Sequence, residues 1–551
     1  MKKLIAFMLA ALMLVVAVLL TACGKQTDPT DTSKATEGEK TSTDAPTPAG
    51  SQGTTSGNVE PTEPATPTTE PTEPATPTTE PTEPATPTTE PTQGGQGGYD
   101  NPTEKPKGHL DANFGGRTFT IVTTVDMADD VGRWNTAREY YVETRTGNPV
   151  DIAVYDRNAV MKRLYNCDIK IVEDSVSALI KNDILTSANT VDFGTGNNNS
   201  GFFGSNTNGY YVNAYDLDLD FDLPGWNKTY FEQTTMRDNN GKDKLYTVDG
   251  DFNLSSYRAT YVLFCNLDLY NQNFSEPIFD IVNRGEWTID KMIEMVSQVR
   301  QNTGEEDWKI GEDTYGLLAM THEPFALIMS TGIRFVTPDE NHNFTTSVEQ
   351  ITGGNNINAI GKAAELYATD GVATGSYTVI GGELKAARTL FMGECLDQLE
   401  RISDDENLNV TVVPQPLYEA DSSCDYKFYV NSKASCFFIS ANACGGDMKM
   451  VAEFLNVLTY HSNKIVLPEF IKTWGGIYCQ DEQAVDMLAY IMNGRQYDYA
   501  YYKNGNGAVY GQASGFITEN KAKNFQRAAS GWVGDLENDL ATTLLNMTNS
   551  K

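Results

Sequence analysis

The sequence predicts a tethered, two-lobed α/β protein, and three observations carry that expectation. The residues after position 113 number roughly 440, more than the about 250–300 residues that a single core supports. Short runs rich in β-branched and aromatic residues alternate with helical periodicity, the pattern of parallel strands joined by crossover helices. The first 113 residues divide into an apolar N-terminal run and a Pro/Thr/Glu-rich stretch too poor in apolar residues to form a core.

In chain order, Lys2 and Lys3 precede an apolar run from Leu4 to Leu20, followed by Leu20-Thr21-Ala22-Cys23. A basic start, an apolar core and small residues before a cut describe a secretory signal over residues 1–22. The cysteine at the cut makes the stretch resemble a bacterial lipoprotein signal. That resemblance implies Cys23 as a lipidated (palmitate-bearing) first mature residue, anchored in the cell membrane on its extracellular face. Residues 23–113 are expected to be a disordered linker. Within it PTEPATPTTE occurs three times, from Pro61 to Glu90. Such proline density favours polyproline II, and at about 3.1 Å per residue the repeats span roughly 90 Å as a semi-rigid stalk.

In the folded part, Arg117 to Val122 alternates like a first strand. A helix over Val154–Tyr165 and a strand from Asp168 to Val172 follow, with another strand expected at Thr190–Phe193. The Gly/Asn/Ser/Phe loop after it would lie at the carboxyl end of a parallel strand, where binding crevices form. Asp216, Asp218, Asp220 and Asp222 alternate with apolar residues and are expected on one face of an extended chain. A calcium loop fails there because Phe221 and Asn227 stand at its sixth and twelfth positions. The pivotal stretch is Leu245–Asp268, LYTVDGDFNLSSYRATYVLFCNLD. It reads as a brief strand at Leu245–Val248, a turn at Gly250, and a doubly buried strand from Ala259 to Cys265. Thr288 is an N-cap, and Ile289, Met292, Ile293, Val296 and Val299 follow at helical spacing. Later strands are expected at Thr389–Glu394, Val410–Val413 and Ala434–Ser440, with a helix from Met450 to Leu458.

Several of these segments resemble those of bacterial extracellular solute-binding proteins, the carbohydrate-type (family 1) substrate-binding lipoproteins of ABC importers. DIAVYDRNAVMKRLYNCDIKIVED resembles the family's A-x-Y-x-R-N opening. Pro224-Gly225-Trp226-Asn227 resembles its P-W-W-N element, with Gly225 in place of one Trp. Leu245–Asp268 resembles the segment that crosses between lobes. Trp287-Thr288-Ile289-Asp290, Asp313-Thr314-Tyr315-Gly316, Phe391-Met392-Gly393 and Val413-Pro414-Gln415-Pro416 resemble later elements in family order. The likeness covers residues 115 to 551. It implies a periplasmic-binding-protein-like fold with discontinuous lobes and a hinge: lobe I from 114–255 with 394–460, and lobe II from 256–393 with 461–551. It also implies ligand capture between the lobes and delivery to membrane permease subunits.

The formal net charge of −33 argues against nucleic acid and anionic lipid headgroups as partners. Seven cysteines besides Cys23 are widely spaced, without CxxC; Cys424, Cys436 and Cys444 are the expected pairing candidates in an oxidising compartment. GxSxG, HExxH, GxxxxGK and GxGxxG are all missing, and His322, His342 and His461 lie far apart. No catalytic residue, metal or cofactor is therefore expected. The aromatic clusters are more informative, because flat rings flanked by amides suit sugar rings. The expected ligand contacts are Tyr257 at the crossing, Asn197, Asn198, Asn199, Phe202 and Phe203 in the first-lobe loop, Trp134, and Tyr499, Tyr501 and Tyr502 in the tail. These readings converge on a lipid-anchored, sugar-capturing subunit of an ABC importer. A stalked glycan-degrading enzyme and a non-transport surface adhesin are the alternatives.

Overall fold

The computed structural model describes residues 112–124, 137–145, 147–197, 206, 208–304, 307–403, 405, 407–504 and 508–550. The signal and almost all of the linker lie outside these residues. Nine strands build two main sheets: β1 (Arg117–Thr123), β2 (Cys167–Glu173), β3 (Phe193–Asn197), β4 (Tyr261–Asn266), β5 (Tyr315–Met320), β6 (Val372–Gly375), β7 (Thr389–Cys395), β8 (Val410–Val413) and β9 (Ser435–Ile439). The first sheet runs β9-β3-β1-β2 and the second β6-β5-β7-β4-β8. In the first, β1 is parallel to β2 and β3, while β9 returns antiparallel along β3. In the second, β5, β6 and β7 are parallel, and β4 runs antiparallel between β7 and β8. This is the two-lobed α/β architecture expected, with each lobe assembled from discontinuous segments.

Local chemistry accounts for the elements. Helix α1 (Pro149–Tyr165) starts where the Asn148 side chain accepts the Asp151 amide and proline occupies the first turn, and it stops at Asn166 in the left-handed region. The single turn α2 (Leu254–Arg258) precedes β4. Thr288 caps α3 (Ile289–Val299) by accepting from the Lys291 amide, as its position predicts. This helix lies so close to β5 that a Cβ on Gly316 would sit 2.3 Å from Val296 Cγ1, so only glycine fits there. Helix α4 (Glu323–Ser330) follows β5, and α5 (Met448–His461) covers the first sheet. Phe454 of α5 stacks on Phe119 of β1 at 3.8 Å between centroids and on Phe193 of β3 at 5.3 Å. β4 is buried along its whole length, as its unbroken apolar run requires.

Six expectations are corrected. Residues 394–430 do not belong to the first lobe: β7 and β8 flank β4 in the second sheet, and the chain returns only at Ser435. The reason is the wholly buried, apolar β7, which needs a strand on each side and finds β5 and β4. Residues 462–471 stay with the first lobe, where Arg157 of α1 donates to Ser462 Oγ at 3.1 Å. The strand expected at Thr190–Phe193 begins instead at Phe193, and Leu245–Val248 contributes only a bridge from Val248 to Phe437. Asp216 to Asp222 form a short helical turn and bends, with Asp220 accepting the Asp222 amide, so their carboxylates share no strand face. All seven described cysteines are free thiols, Cys424, Cys436 and Cys444 included. Among the described residues no helix is long and apolar enough to cross a membrane.

Candidate functional site

Two chain segments pass between the lobes side by side. Thr260 and Val430 form an antiparallel bridge, and the Asn431 amide donates to Ala259 O at 2.8 Å. Strand ends from both sheets meet at this double crossing. Asn197, at the carboxyl end of β3, is registered opposite Ser435. The Ser435 amide donates to Ser255 Oγ of α2 at 2.9 Å, and Asn253 Nδ2 donates to Ser435 O at 2.8 Å. Beyond the carboxyl end of β7, the Leu396 amide donates to Thr260 O at 2.9 Å and the Asp397 amide to Arg258 O at 2.8 Å. Carboxyl ends of parallel strands are where crevices open in α/β sheets. Here such ends from two sheets converge on one floor.

The floor is polar and buried. Asp249 accepts from Asn227 Nδ2 at 2.6 Å, from Asn253 Nδ2 at 2.8 Å and from the Tyr497 hydroxyl at 3.2 Å. Arg495 lies 3.6 Å from the same carboxylate and donates to Ser256 Oγ. Its guanidinium stands 3.8 Å from the Tyr257 ring centroid. The Tyr257 hydroxyl and Asn463 Nδ2 both donate to Asp251. Burial pushes the Asp251 carboxyl above its ordinary range, and those two hydrogen bonds oppose the shift. Burial alone would depress the Arg495 guanidinium, but Tyr497, Tyr257, Asp249 and Asp251 together raise it above its usual value. Towards the first lobe, Glu139 accepts the Ser255 amide at 3.0 Å and lies 3.9 Å from Arg258, which also pairs with Glu400 at 2.6 Å.

Tyr257 is therefore not an open ring on the cleft wall. It is 2% exposed, its face taken by Arg495 and its hydroxyl by Asp251. Tyr499, Tyr501 and Tyr502 are also core residues. Their segment is helical (Tyr499–Asn504), and buried Asp498 accepts the Ala500 amide at 2.9 Å at its start. The rings turn inward because each hydroxyl finds a buried partner. Tyr499 shares a 2.7 Å bond with Thr543, Tyr501 shares a 3.1 Å bond with Tyr261, and Tyr502 donates to Val430 O at 2.7 Å. The last two brace the crossing. Asn197 alone among the described candidates stands at the converging strand ends, and it is half-buried there. Trp134, Asn198, Asn199, Phe202 and Phe203 lie outside the described residues, as does Cys23. The segments holding the five cleft candidates directly follow β1 and β3. Sequence reading missed Arg495, Asp249, Asp251, Asn227 and Glu139. The signal for the two aspartates was present, since Asp249-Gly250-Asp251 places two carboxylates between apolar runs.

No family model matches the sequence, and no curated protein matches it. Solved structures do. A solute-binding protein from Staphylococcus aureus in complex with maltose is 11% identical, with 77% of this chain and 98% of that one covered and a TM-score of 0.49. A galacto-N-biose/lacto-N-biose I-binding protein of an ABC transporter from Bifidobacterium longum is 10% identical over 78% and 99% of the two chains, with a TM-score of 0.47. An ABC substrate-binding protein from Listeria monocytogenes in complex with cycloalternan is 11% identical over 76% and 99%, with a TM-score of 0.44. The chain itself shows two α/β lobes, one on each main sheet.

Proposed function

We propose that the protein is the lipid-anchored, extracellular substrate-binding subunit of an ABC importer, which captures a carbohydrate between its lobes and hands it to the permease. The observation that carries the reading is the convergence of strand ends from both sheets on a paired, buried-polar crossing. A rigid floor with two lobes above it serves capture by closure. The family-like order of segments supports the same reading, and the Pro-rich repeats would hold the lobes away from the membrane. Trp134, Asn198, Asn199, Phe202 and Phe203 remain the proposed sugar contacts of the first lobe, beside Asn197.

Closure is tested by melting the full mature chain against a sugar panel that includes maltose and lacto-N-biose, followed by X-ray scattering with any stabilising sugar. A ligand bound only by the closed form stabilises it by about 2.7 kcal/mol at a hundredfold excess over Kd. The radius of gyration is then expected to fall on binding. A stabilising sugar that leaves the radius unchanged counts against capture by closure, and turnover of the sugar would favour a stalked glycan-degrading enzyme instead. Anchoring has its own check. Mass spectrometry of the N-terminal peptide is expected to show Cys23 as the first residue, carrying acyl chains. An unmodified Cys23, or a retained Met1, defeats that part of the proposal.

A further inference from the structure

Away from the crossing, the second lobe holds a cavity of about 250 Å³ between the helices Ile278–Asn283 and Glu482–Asn493 and the loop before Phe428. Phe279, Tyr426 and Tyr490 supply aromatic walls, Val282 and Met487 the apolar base, and Asp486 a carboxylate. The Tyr426 and Tyr490 rings stand at 87° to one another with centroids 6.4 Å apart, forming a corner. Both hydroxyls are committed: Tyr426 donates to Val282 O at 3.0 Å, and Tyr490 donates to Cys424 O. The rings are thus fixed by their tips, as a preorganised site requires. Phe279 is buried, whereas Tyr490 is 37% exposed, so the corner is open on one side.

The electrostatics of this cavity select a charge type. No lysine or arginine lines it, and Asp486 forms no ion pair among the described residues. Aromatic faces carry the negative end of the ring quadrupole and attract cations desolvated against them. An unpaired carboxylate on the same wall adds attraction of the same sign, and the apolar base favours a cation with an alkyl shell. The remaining polar lining groups, Asn283, Cys424 and Gln483, offer an anion no full countercharge. We propose that this cavity is a second ligand site, separate from the crevice between the lobes, and that it takes a small quaternary ammonium cation.

The test uses the full mature chain and choline, with 3,3-dimethylbutan-1-ol as the uncharged probe of the same shape. Calorimetric titration is expected to give saturable choline binding, with the uncharged alcohol weaker by about 2- to 30-fold, the range of one desolvated cation–π contact. Asp486→Asn, on an exposed side chain, should weaken choline by about two- to fivefold. Tyr490→Ala should weaken it by the larger factor, while Tyr490→Phe keeps the ring but frees its tip and should weaken it by less than Tyr490→Ala does. Should Tyr490→Ala fail to fold, the Asp486→Asn and Tyr490→Phe pair still decides. Equal affinity for choline and the alcohol, no saturable choline heat, or an Asp486→Asn variant indistinguishable from the parent would each overturn the assignment.

Discussion

Replacing Arg495 with alanine is expected to destabilise the ligand-free protein by about 3–5 kcal/mol, the cost of stripping one partner from a buried ion pair. Arg495 is 5% exposed and faces two acidic groups in the crossing, Asp249 (2%) and Asp251 (6%). Among the described residues it is the one cation ion-paired with Asp249. Its removal leaves that carboxylate with hydrogen bonds from Asn227, Asn253 and Tyr497 but no countercharge, and it exposes the Tyr257 face. Lysine at 495 should recover only part of the loss. It keeps the charge, but not the fork that reaches Ser256 Oγ and Met492 O together. Urea denaturation of Arg495→Ala, Asp249→Asn and the double variant measures the coupling. The double variant should regain at least about 1 kcal/mol relative to additivity. Strict additivity, or an Arg495→Ala loss below about 1 kcal/mol, would show that the network is not what fixes the crossing.

The crossing also shows where a linear sequence stops informing. Its first half was legible because Ala259–Cys265 is a continuous β-branched and aromatic run, and such a run has few fates other than a doubly buried strand. Thr288 and the Ile289–Val299 spacing marked a helix for reasons local to that segment. The return crossing was displaced because Thr389–Cys395 and Val410–Val413 are apolar strands with no sign of which sheet they join; only their pairing with Tyr261–Asn266 decides it. Arg495 gave no signal at all. Its meaning depends on Ser256, 239 positions away, and on Asp249 and Tyr257 nearby in space. The Tyr499–Tyr502 cluster misled for a related reason. Tyrosines beside an Asp and a Gly/Asn-rich stretch look solvent-facing in sequence, yet every hydroxyl found a buried acceptor or donor. A half-polar side chain is assigned to core or crevice by partners that sequence order does not reveal.

Raising the pH from about 6.5 to 8 is expected to weaken the fold through Glu323, and Glu323→Gln should abolish that trend. Glu323 opens α4, is 1% exposed and accepts from the Tyr367 hydroxyl. Burial pushes its carboxyl from 4.5 up to about 8; the neighbouring Gln415 amide opposes the shift, and the charge of Glu394 adds to it. In the unfolded chain the group ionises near its ordinary value. Between the two values the folded state must therefore hold a proton that the unfolded state has released. This contribution is fully present below about pH 4.5 and is lost as pH rises through about 8. A shift of that size corresponds to a loss on the order of 5 kcal/mol. His461 acts in the opposite direction. Its imidazole, buried beside the Tyr165 hydroxyl and near Arg157, is lowered to about 4, so its contribution is intact above about pH 6.5 and lost as pH falls. The two slopes oppose one another between pH 4.5 and 6.5, and only the Glu323 slope persists from there to pH 8. Urea midpoints of the parent should fall over that upper range, while those of Glu323→Gln, which keeps the shape of the neutral acid, should stay level. Parallel curves for the two proteins would mean that Glu323 titrates normally and that the neutral carboxyl under α4 is wrong.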